Sequence, residues 1–434
     1  MKKKFAIVSL GCPKNLVDSE TFCDIAIRHG YEQAEGDESC EFVLINTCSF
    51  IHDAVEELRY VLKTHCELKS KGQVKRIYVT GCIMNRGLKW MQRSFPEVDA
   101  WIGIKDFTAF EKLLSSNTLG SYQRYPLTDG PYAYLKISDG CNNRCSYCTI
   151  PSIRGKLKST KMEDLVRESI YLAQTGAREL VVIAQDTTSY GRDLYKKRML
   201  SELLKRLHEV PGFDWIRLMY LHPGHVDKEL VKTIAALPKI VHAFEMPLQH
   251  CNDKILYAMN RKYTKADIIR VYEMFKTEMP DSVFRTTFIT GFPGESRKDF
   301  LELMQFIQDY PFLRMGVFAY SREYPTPAFD LPDQVGERAA IRRKEELLGL
   351  HRELSIQYLS EYVGKELDVL VEEAYPDEGD YFGRAWFDAP EIDGLVNFSG
   401  GDADYGDLVK VRIDDVIDID LYGTMKGIVS KYNE

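Results

Sequence analysis

Short apolar runs alternate with segments of helical periodicity in the first part of the chain. The runs at 5–8, 42–45 and 77–79 have the length and composition of buried strands, and helical patterns at 19–29 and 54–66 lie between them. Strands that alternate with helices form a parallel sheet whose faces are covered by the helices. The pattern predicts a Rossmann-like parallel α/β domain over residues 1–120.

The same alternation resumes after a polar connector at 115–131. Predicted strands lie at 134–137, 180–183, 215–219, 243–246, 284–289 and 314–320, and predicted helices at 161–175, 199–209, 227–236 and 266–277. Repeated strand–helix units form a parallel β/α barrel, whose site lies at the carboxyl ends of the strands. We therefore predict a partial or full TIM-type barrel over residues 131–345.

The last segment changes to short β-prone runs. A charged helix at 337–358 precedes runs at 367–372, 381–386, 395–397, 408–413 and 422–429. Several short strands at even spacing are typical of a small antiparallel barrel. The sequence therefore predicts a separate β-barrel domain over residues 363–434.

Composition narrows the class of protein. No apolar run approaches the length of a membrane span, and the apolar stretch at 5–10 is too short for the core of a signal peptide. The chain carries ten cysteines and a net charge of −8. Cysteines in a chain without a targeting segment indicate metal or redox chemistry rather than a disulfide framework. We expect a cytoplasmic protein that does not interact with membranes.

Three of the cysteines, Cys141, Cys145 and Cys148, have CxxxCxxC spacing directly after a predicted strand. A structural zinc site needs four ligands, and no fourth cysteine or histidine lies near this loop. Three thiolates suit a 4Fe–4S cluster in which one iron has no protein ligand and is free to bind a substrate or cofactor. The alternative is a loop with three thiols and no metal.

Cys12, Cys48 and Cys82 each follow a predicted strand of the first domain within a few residues. Because the carboxyl ends of parallel strands share one edge of a sheet, where ligands bind, we expect these thiols to meet in space. Separate buried thiols are the alternative, since free cysteine is often buried. Three further cysteines of this domain are interpreted as structural residues: Cys23, Cys40 and Cys66.

Two motifs resemble a known enzyme family. The CxxxCxxC motif, with the aromatic Tyr147 before its last cysteine, resembles the signature of the radical S-adenosylmethionine (SAM) enzymes. Residues 9–20, SLGCPKNLVDSE, resemble the opening of the methylthiotransferases in their ribosomal-protein branch, whereas tRNA-modifying relatives typically read Gly-Cys-Gln-Met-Asn here. The last domain resembles the TRAM domain that ends these enzymes, so the resemblance covers essentially the full chain.

The resemblance implies two 4Fe–4S clusters and SAM as cofactors. Cys141, Cys145 and Cys148 would hold the cluster that splits SAM to generate a radical, and a second, sulfur-bearing cluster would be held by Cys12, Cys48 and Cys82. The implied substrate is an aspartate of the twelfth protein of the small ribosomal subunit, methylthiolated at its β-carbon. One SAM would supply the methyl group, and another the radical that removes the β-hydrogen.

The same resemblance implies which other residues contact SAM. Tyr147 would lie near the adenine and Gln185 near the methionine or ribose end, with Arg285, Gly291 and Glu295 along the cofactor. No residue is assigned as a general acid or base, because hydrogen abstraction by a carbon radical needs none. Three histidines are therefore interpreted as packing or hydrogen-bonding residues: His222, His225 and His250.

The predicted C-terminal domain is strongly acidic. Residues 363–434 contain 18 acidic and 6 basic residues, a net charge of −12 that leaves +4 on the rest of the chain. Such a surface repels RNA and attracts a basic protein; acidity that serves solubility alone is the alternative. We expect a basic ribosomal protein as partner, with a sulfur donor and an electron donor such as flavodoxin or ferredoxin, and no nucleic acid as substrate.

Two other functions stay open at this point. A tRNA methylthiotransferase that acts on an adenosine base would show salt-dependent affinity for tRNA. An iron–sulfur electron carrier or sensor is the non-enzymatic alternative, although a barrel with an appended recognition domain exceeds what electron transfer requires.

Overall fold

The first unit is a parallel five-stranded sheet covered by helices, as predicted. The computed structural model describes residues 3–36, 38–86, 88–128 and 130–432, so the predicted outer bounds at residues 1 and 434 lie outside the described residues. The strands are β1 (Lys3–Ser9), β2 (Tyr31–Gln33), β3 (Phe42–Thr47), β4 (Ile77–Gly81) and β5 (Ala100–Trp101), and the helices are α1 (Pro13–Arg28), α2 (His52–Ser70), α3 (Leu88–Ser94) and α4 (Phe107–Leu114). Their order across the sheet is β2-β1-β3-β4-β5.

The second unit is an open sheet of six parallel strands. Its elements are β6 (Tyr132–Lys136), β7 (Ser138–Asp139), α5 (Ile150–Ile153), β8 (Lys158–Ser159), α6 (Met162–Gln174), β9 (Glu179–Ile183), α7 (Leu200–His208), β10 (Trp215–Leu218), α8 (Lys228–Ala235), β11 (Ile240–Glu245), α9 (Asp253–Ala258), α10 (Lys265–Glu278), β12 (Val283–Thr290), α11 (Arg297–Asp309), β13 (Arg314–Ala319) and α12 (Glu337–Ser360). The six large strands lie in the order β13-β12-β11-β10-β9-β6, and β7 pairs with β8 separately. The barrel is therefore partial.

Helix α1 of the first unit covers the inner face of the partial barrel. Leu16 and Val17 pack against Tyr134, Ile183 and Met219, which lie on or directly after β6, β9 and β10. The helix begins at Pro13, whose fixed φ and missing N–H suit the first helical position. The start of α1 is thereby held over the carboxyl ends of the barrel strands.

The third unit is a closed barrel of five strands: β14 (Glu366–Tyr375), β15 (Asp380–Ala385), β16 (Val396–Ser399), β17 (Leu408–Ile417) and β18 (Asp420–Ser430). The strand order is β14-β15-β16-β18-β17, and β17 closes back on β14. The predicted barrel is confirmed, with one difference in strand direction. β16 and β18 run parallel, because β18 returns from its hairpin with β17 to the free edge of β16.

Buried ion pairs fix the third unit to the amino-terminal ends of the barrel strands. Glu179, the first residue of β9, accepts from Arg217 at 2.5 Å and from Arg384 of the third unit at 2.7 Å. Arg314 pairs with Asp388 at 2.6 Å. The loop between β15 and β16 thus closes the end of the barrel opposite the predicted site. No helix among the described residues combines the length and apolarity needed to cross a membrane.

Candidate functional site

The first group of cysteines lies at one edge of the first sheet, as the strand pattern predicts. Cys12 follows the end of β1 by three residues, and Cys48 and Cys82 directly follow β3 and β4. Because β1 and β4 both pair with β3 in parallel, the three loops meet. Burial raises the pKa of Cys82 to about 11, and the nearby Cys48 and Cys12 act in the same direction. We call these three residues the first thiol group.

Glycine at position 11 lets the Cys12 loop approach Cys48. Gly11 has a φ of +86°, and a Cβ atom there would lie 2.6 Å from the Cβ and 2.8 Å from the Sγ of Cys48. Any other residue would meet both an unfavourable backbone conformation and a clash. The close approach of the two loops therefore depends on this glycine.

Asn15 ties the same loop to the neighbouring strand ends. Its Nδ2 donates to the carbonyls of Leu10 at 2.8 Å and Thr47 at 2.9 Å, and the thiol of Cys82 lies 3.9 Å from its Oδ1. Asn15 is fully buried. Sequence reasoning assigns no role to Asn15. Asparagine side chains often form hydrogen bonds to nearby backbone groups, so an asparagine three residues after Cys12 is a signal that could have indicated this contact.

The second group of cysteines lies in the loop between β7 and α5, and each sulfur accepts an N–H. The Sγ atoms of Cys141 and Cys148 each accept from the backbone N–H two residues further along, at 3.4 Å. The Sγ of Cys145 accepts from the guanidinium of Arg261, also at 3.4 Å. Because N–H donors stabilise a thiolate, this second thiol group is suited to bind a cation through sulfur.

The donor chemistry of both groups fits an iron–sulfur cluster. All ten cysteines are free thiols. Burial raises the pKa of Cys141 to about 11 and that of Cys148 to about 12, so a bound cation is what would displace their protons. Within the described residues, no three His, Cys, Asp or Glu side chains are placed to hold a single metal ion. In an iron–sulfur cluster each thiolate binds a different iron, so the sulfur atoms need not point at one position. In a zinc site all ligands bind the same ion and must do so.

The two thiol groups lie on loops that contact each other. The Nδ2 of Asn85 donates to the carbonyl of Ile153 at 2.7 Å, and the hydroxyl of Thr149 donates to the carbonyl of Phe50 at 3.1 Å. Asn85 and Phe50 belong to loops of the first group, whereas Thr149 and Ile153 follow the last cysteine of the second. The two groups therefore face the same region between the first and second units.

A buried ion cluster joins the two units beside the thiol groups. Arg154 Nη1 lies 2.9 Å from Asp18 of α1 and 3.2 Å from Asp139, and its Nη2 donates to Asn15. Lys136 also pairs with Asp18. Although burial alone would raise it, the pKa of Asp139 is held well below its usual range by Lys136 and Arg154. Sequence reasoning misses this cluster, because its pairs join residues far apart along the chain: Asp18 lies in the 9–20 motif, but no local pattern shows that Lys136 and Arg154 are its partners.

Two residues predicted to contact SAM, Tyr147 and Gln185, lie beside the second thiol group. The Nε2 of Gln185 donates to Asp139 at 3.2 Å, and its buried Oε1 has no hydrogen-bond partner among the described residues. A buried oxygen of this kind is free to accept from a ligand. Tyr147 packs edge-on against Phe292, with ring centroids 6.4 Å apart.

Gly291 and Glu295 belong to the turn that contains Phe292. The Oε2 of Glu295 accepts from the backbone N–H of Gly291 and, at 3.2 Å, from that of Phe292. Its Oε1 lies 3.0 Å from Arg343 of α12. Burial raises the pKa of Glu295 even though these partners favour its charged form. The carboxylate therefore shapes the turn, and contact of this turn with SAM stays a prediction.

Arg285 lies further down the inner face of the barrel. Its Nη1 pairs with Asp393 of the third unit, and its Nε lies 3.8 Å from the Oε1 of Glu245. The guanidinium thus links the barrel to the loop that closes it. A contact between Arg285 and SAM also stays a prediction.

The three histidines make packing and hydrogen-bonding contacts. The Nδ1 of His225 lies 2.9 Å from Asp186, whose carboxylate also accepts from the side chain of Asn143 at 2.8 Å. His222 stacks on His225 with centroids 4.3 Å apart, and burial lowers its pKa to about 2. His250 accepts the backbone N–H two residues further along at 2.9 Å. Asp186 and His225 thereby support the loop of the second thiol group through Asn143.

Three family models match the chain, one in each unit. Residues 4–103 match the model described as "Uncharacterized protein family UPF0004", residues 135–307 match the "Radical SAM superfamily", and residues 363–425 match the "TRAM domain".

Solved structures of radical SAM enzymes have a similar fold. The radical SAM methyltransferase TsrM from Kitasatospora setae, with cobalamin and a 4Fe–4S cluster bound, has a TM-score of 0.54 at 14% identity, covering 76% of this chain and 77% of that one. The cobalamin-dependent SAM radical enzyme OxsB has a TM-score of 0.51 at 10% identity, covering 81% of this chain and 56% of that one. At these identities the likeness concerns the fold alone.

Curated relatives match over nearly the full chain. The ribosomal protein uS12 methylthiotransferase RimO of Clostridioides difficile (strain 630) is 40% identical, covering 97% of this chain and 98% of that protein. The proteins of the same name from Thermoanaerobacter sp. (strain X514) and Thermotoga maritima are 41% and 39% identical and cover 97% of this chain. The chain therefore belongs to the family of ribosomal protein uS12 methylthiotransferases, within the radical SAM superfamily.

Proposed function

We propose that this chain attaches a methylthio group to the β-carbon of an aspartate side chain in ribosomal protein uS12. The observation that carries the proposal is the presence of two groups of three free thiols on loops that contact each other. An electron carrier ordinarily holds each cluster with four cysteines and has no use for an open iron, whereas sulfur insertion needs one open centre that generates a radical and one that delivers sulfur. The family to which the chain belongs is named for this reaction and this substrate.

In this proposal each thiol group holds one 4Fe–4S cluster. Cys141, Cys145 and Cys148 hold the cluster to which SAM binds, and the sulfur-bearing cluster is held by Cys12, Cys48 and Cys82. When bound, the two clusters and SAM supply the electron, the hydrogen-atom abstraction, the sulfur and the methyl group. The protein contributes the positions of these groups and the exclusion of water.

Residues of the second unit orient SAM in this proposal. Gln185 accepts a hydrogen bond through its free Oε1, and Tyr147 packs beside the adenine. The turn from Gly291 to Glu295 follows the cofactor, with its shape fixed by the carboxylate of Glu295. Arg285 lies further down the inner face of the barrel and places its positive charge along the cofactor.

The facing loops keep the reacting groups together. The ion cluster of Arg154, Asp18 and Asp139 holds the first unit against the second at the thiol groups. Holding two centres and a substrate carbon in fixed positions turns a three-component encounter into an intramolecular one. A closed contact between the units also protects a radical from solvent.

The substrate is a basic protein in this proposal, and nucleic acid is not a substrate. Acidic side chains on the β17–β18 hairpin are exposed, among them Asp414, Asp415 and Asp418. This surface favours encounter with a basic ribosomal protein. The reaction also requires an electron donor, for which flavodoxin or ferredoxin is suited, and a sulfur donor. The cytoplasm, where ribosomes are assembled, is the proposed location.

Mass spectrometry of uS12 from cells that lack this chain tests the proposal. We expect the methylthio group to be absent from the aspartate, restored by the wild-type chain and not restored by Cys145→Ala. A uS12 that keeps its methylthio group in the deletion strain would refute the proposal. Nucleoside analysis of tRNA from the same cells tests the other enzyme class, because loss of a methylthioadenosine would indicate an RNA substrate.

A further inference from the structure

Lys14 carries a buried ammonium group that has no carboxylate within ion-pair distance among the described residues. The residue is 7% exposed, and its Nζ lies 3.4 Å from the ring centroid of Tyr220. Within the described part of the chain, Nζ forms neither an ion pair nor a hydrogen bond. An aromatic face satisfies an ammonium on one side only, and three N–H donors require further acceptors. A buried cation in this state is suited to bind an anion.

Glu245 lies within electrostatic reach of Lys14 at the end of β11. Its Oε2 is buried and has no hydrogen-bond partner among the described residues. Arg285 lies opposite it in the strand register, with its Nε 3.8 Å from the other oxygen, and pairs with Asp393. Burial raises the pKa of Glu245, which weakens the negative charge that would repel an anion next to Lys14. The ammonium of Lys14 is therefore available to one carboxylate at this position.

The position of Lys14 agrees with the reaction. It follows Cys12 of the first thiol group by two residues, and its charge interacts with Asp139, two residues before Cys141 of the second group. The substrate carbon must lie between these groups. In an aspartate side chain the carboxylate is bonded directly to the β-carbon, so a cation that binds the carboxylate also places that carbon.

We propose that Lys14, with Glu245 beside it, binds the side-chain carboxylate of the aspartate substrate. This inference rests on the proposed function and adds the residue that selects aspartate. The site accepts one carboxylate and rejects the isosteric amide, because an amide brings no negative charge to the buried ammonium.

Peptide binding to the cluster-loaded full chain tests this role. Two synthetic peptides from the target loop of uS12, one with the native aspartate and one with asparagine, are compared by fluorescence anisotropy under anaerobic conditions. We expect the wild type to bind the aspartate peptide about tenfold to a hundredfold more tightly. The variant Lys14→Met should lose this preference, whereas Lys14→Arg should keep it. Lys112→Met, which changes an exposed lysine on α4, is the matched control.

Iron content is measured on each variant, because Lys14 lies close to Cys12. A Lys14→Met variant that has the iron content of the wild type and keeps the preference for aspartate would overturn the assignment. If that variant loads poorly, Lys14→Gln, which removes the charge and keeps a polar side chain, is measured in its place: it should also lose the preference, and a preference kept at the iron content of the wild type would overturn the proposal. Methylthiolation of the aspartate peptide by the wild type tests the proposed function separately. If the wild type modifies the peptide and Lys14→Met keeps the preference, only the role of Lys14 fails.

Discussion

Arg261 donates a hydrogen bond to Cys145, with 3.4 Å between its Nη1 and the sulfur. The guanidinium is fixed by two further bonds, to the hydroxyl of Tyr263 at 2.7 Å and the carbonyl of Pro247 at 2.8 Å. A fixed positive donor next to a cluster thiolate stabilises the reduced, more negative state of the cluster. Arg261 is separated from Cys145 by 116 residues, and its role follows from the structure alone.

The first prediction concerns the reduction potential of the cluster at the second thiol group. Replacing Arg261 with glutamine removes the charge next to Cys145, so the midpoint potential should become more negative. Spectroelectrochemical titration of the reconstituted protein measures this shift. Arg270→Gln, which changes an exposed arginine of α10, should leave the potential unchanged. Equal potentials in Arg261→Gln and the wild type would contradict the prediction.

The second prediction separates the roles of the two thiol groups. Cys145→Ala should abolish the reductive cleavage of SAM, because it removes a proposed ligand of the cluster that binds SAM. Cys48→Ala should still release 5′-deoxyadenosine but lose sulfur transfer to the substrate. Each variant should contain about half of the wild-type iron after reconstitution. Cys66→Ala, on α2, is the control, and identical behaviour of the first two variants would rule out the division of roles.

The third prediction uses two glycines with nearly the same backbone conformation. A Cβ atom at Gly11, which has φ +86°, would clash with Cys48, whereas a Cβ atom at Gly30, which has φ +83°, would have no neighbouring atom within 4 Å. Alanine at either position should lower the free energy of unfolding by about 1 kcal/mol through backbone strain. Gly11→Ala should lose more and should also reduce the iron content. Urea denaturation and iron analysis measure the difference, and equal losses in both would show that the clash is relieved.

The fourth prediction concerns the attachment of the third unit. Glu179 is the shared partner of Arg217 and Arg384, and these arginines hold its pKa below the usual range in spite of burial. Glu179→Gln leaves the buried guanidinium of Arg217 without a counterion and Arg384 with Glu372 alone, and should destabilise the fold by about 3–5 kcal/mol. Chemical denaturation measures the loss, with the exposed Glu273→Gln as control. A loss below about 1 kcal/mol, typical of an exposed ion pair, would contradict the buried network.

The fifth prediction concerns pH. His351 of α12 lies 3.0 Å from the carbonyl of Phe312 through its Nε2, and burial lowers its pKa to about 4. Because the folded-state pKa is below the unfolded value of about 6.5, its contribution to stability is complete above pH 6.5 and is lost as the pH falls toward 4. At pH 5 the loss should be about 2 kcal/mol. His351→Gln should flatten unfolding curves measured across this range, whereas the exposed His52→Gln should not.

The fold was predictable where the signal is local. Apolar runs mark every long strand of the two parallel sheets, because a strand buried on both faces has few polar positions. The parallel pairing of β16 with β18 was not predictable, since it depends on which free edge the last hairpin meets. Helix α11 carried a usable signal that the prediction did not include: the reciprocal capping bonds of Ser296 and Asp299 at its start.

The cysteine positions were predictable for a topological reason, and their partners were not. Parallel strands end at one edge of a sheet, so Cys12, Cys48 and Cys82 had to be neighbours once the strands were correct. Arg154 and Arg261 contact the thiol loops from other parts of the fold. Tertiary packing determines which residues these two arginines contact, and a local sequence pattern does not show this.

The buried carboxylates of α1 affect how the gene can be divided by recombination during evolution. Asp18 and Glu20 are 4% and 2% exposed, and the cations that neutralise them, Lys136, Arg154 and Arg124, all come from beyond residue 120. A gene split between the first two units would produce a first unit that lacks the cations with which these two carboxylates pair. We therefore expect the coding regions of the first two units to be inherited together. Recombination should be tolerated at the ends of the gene and selected against at the junction between these units.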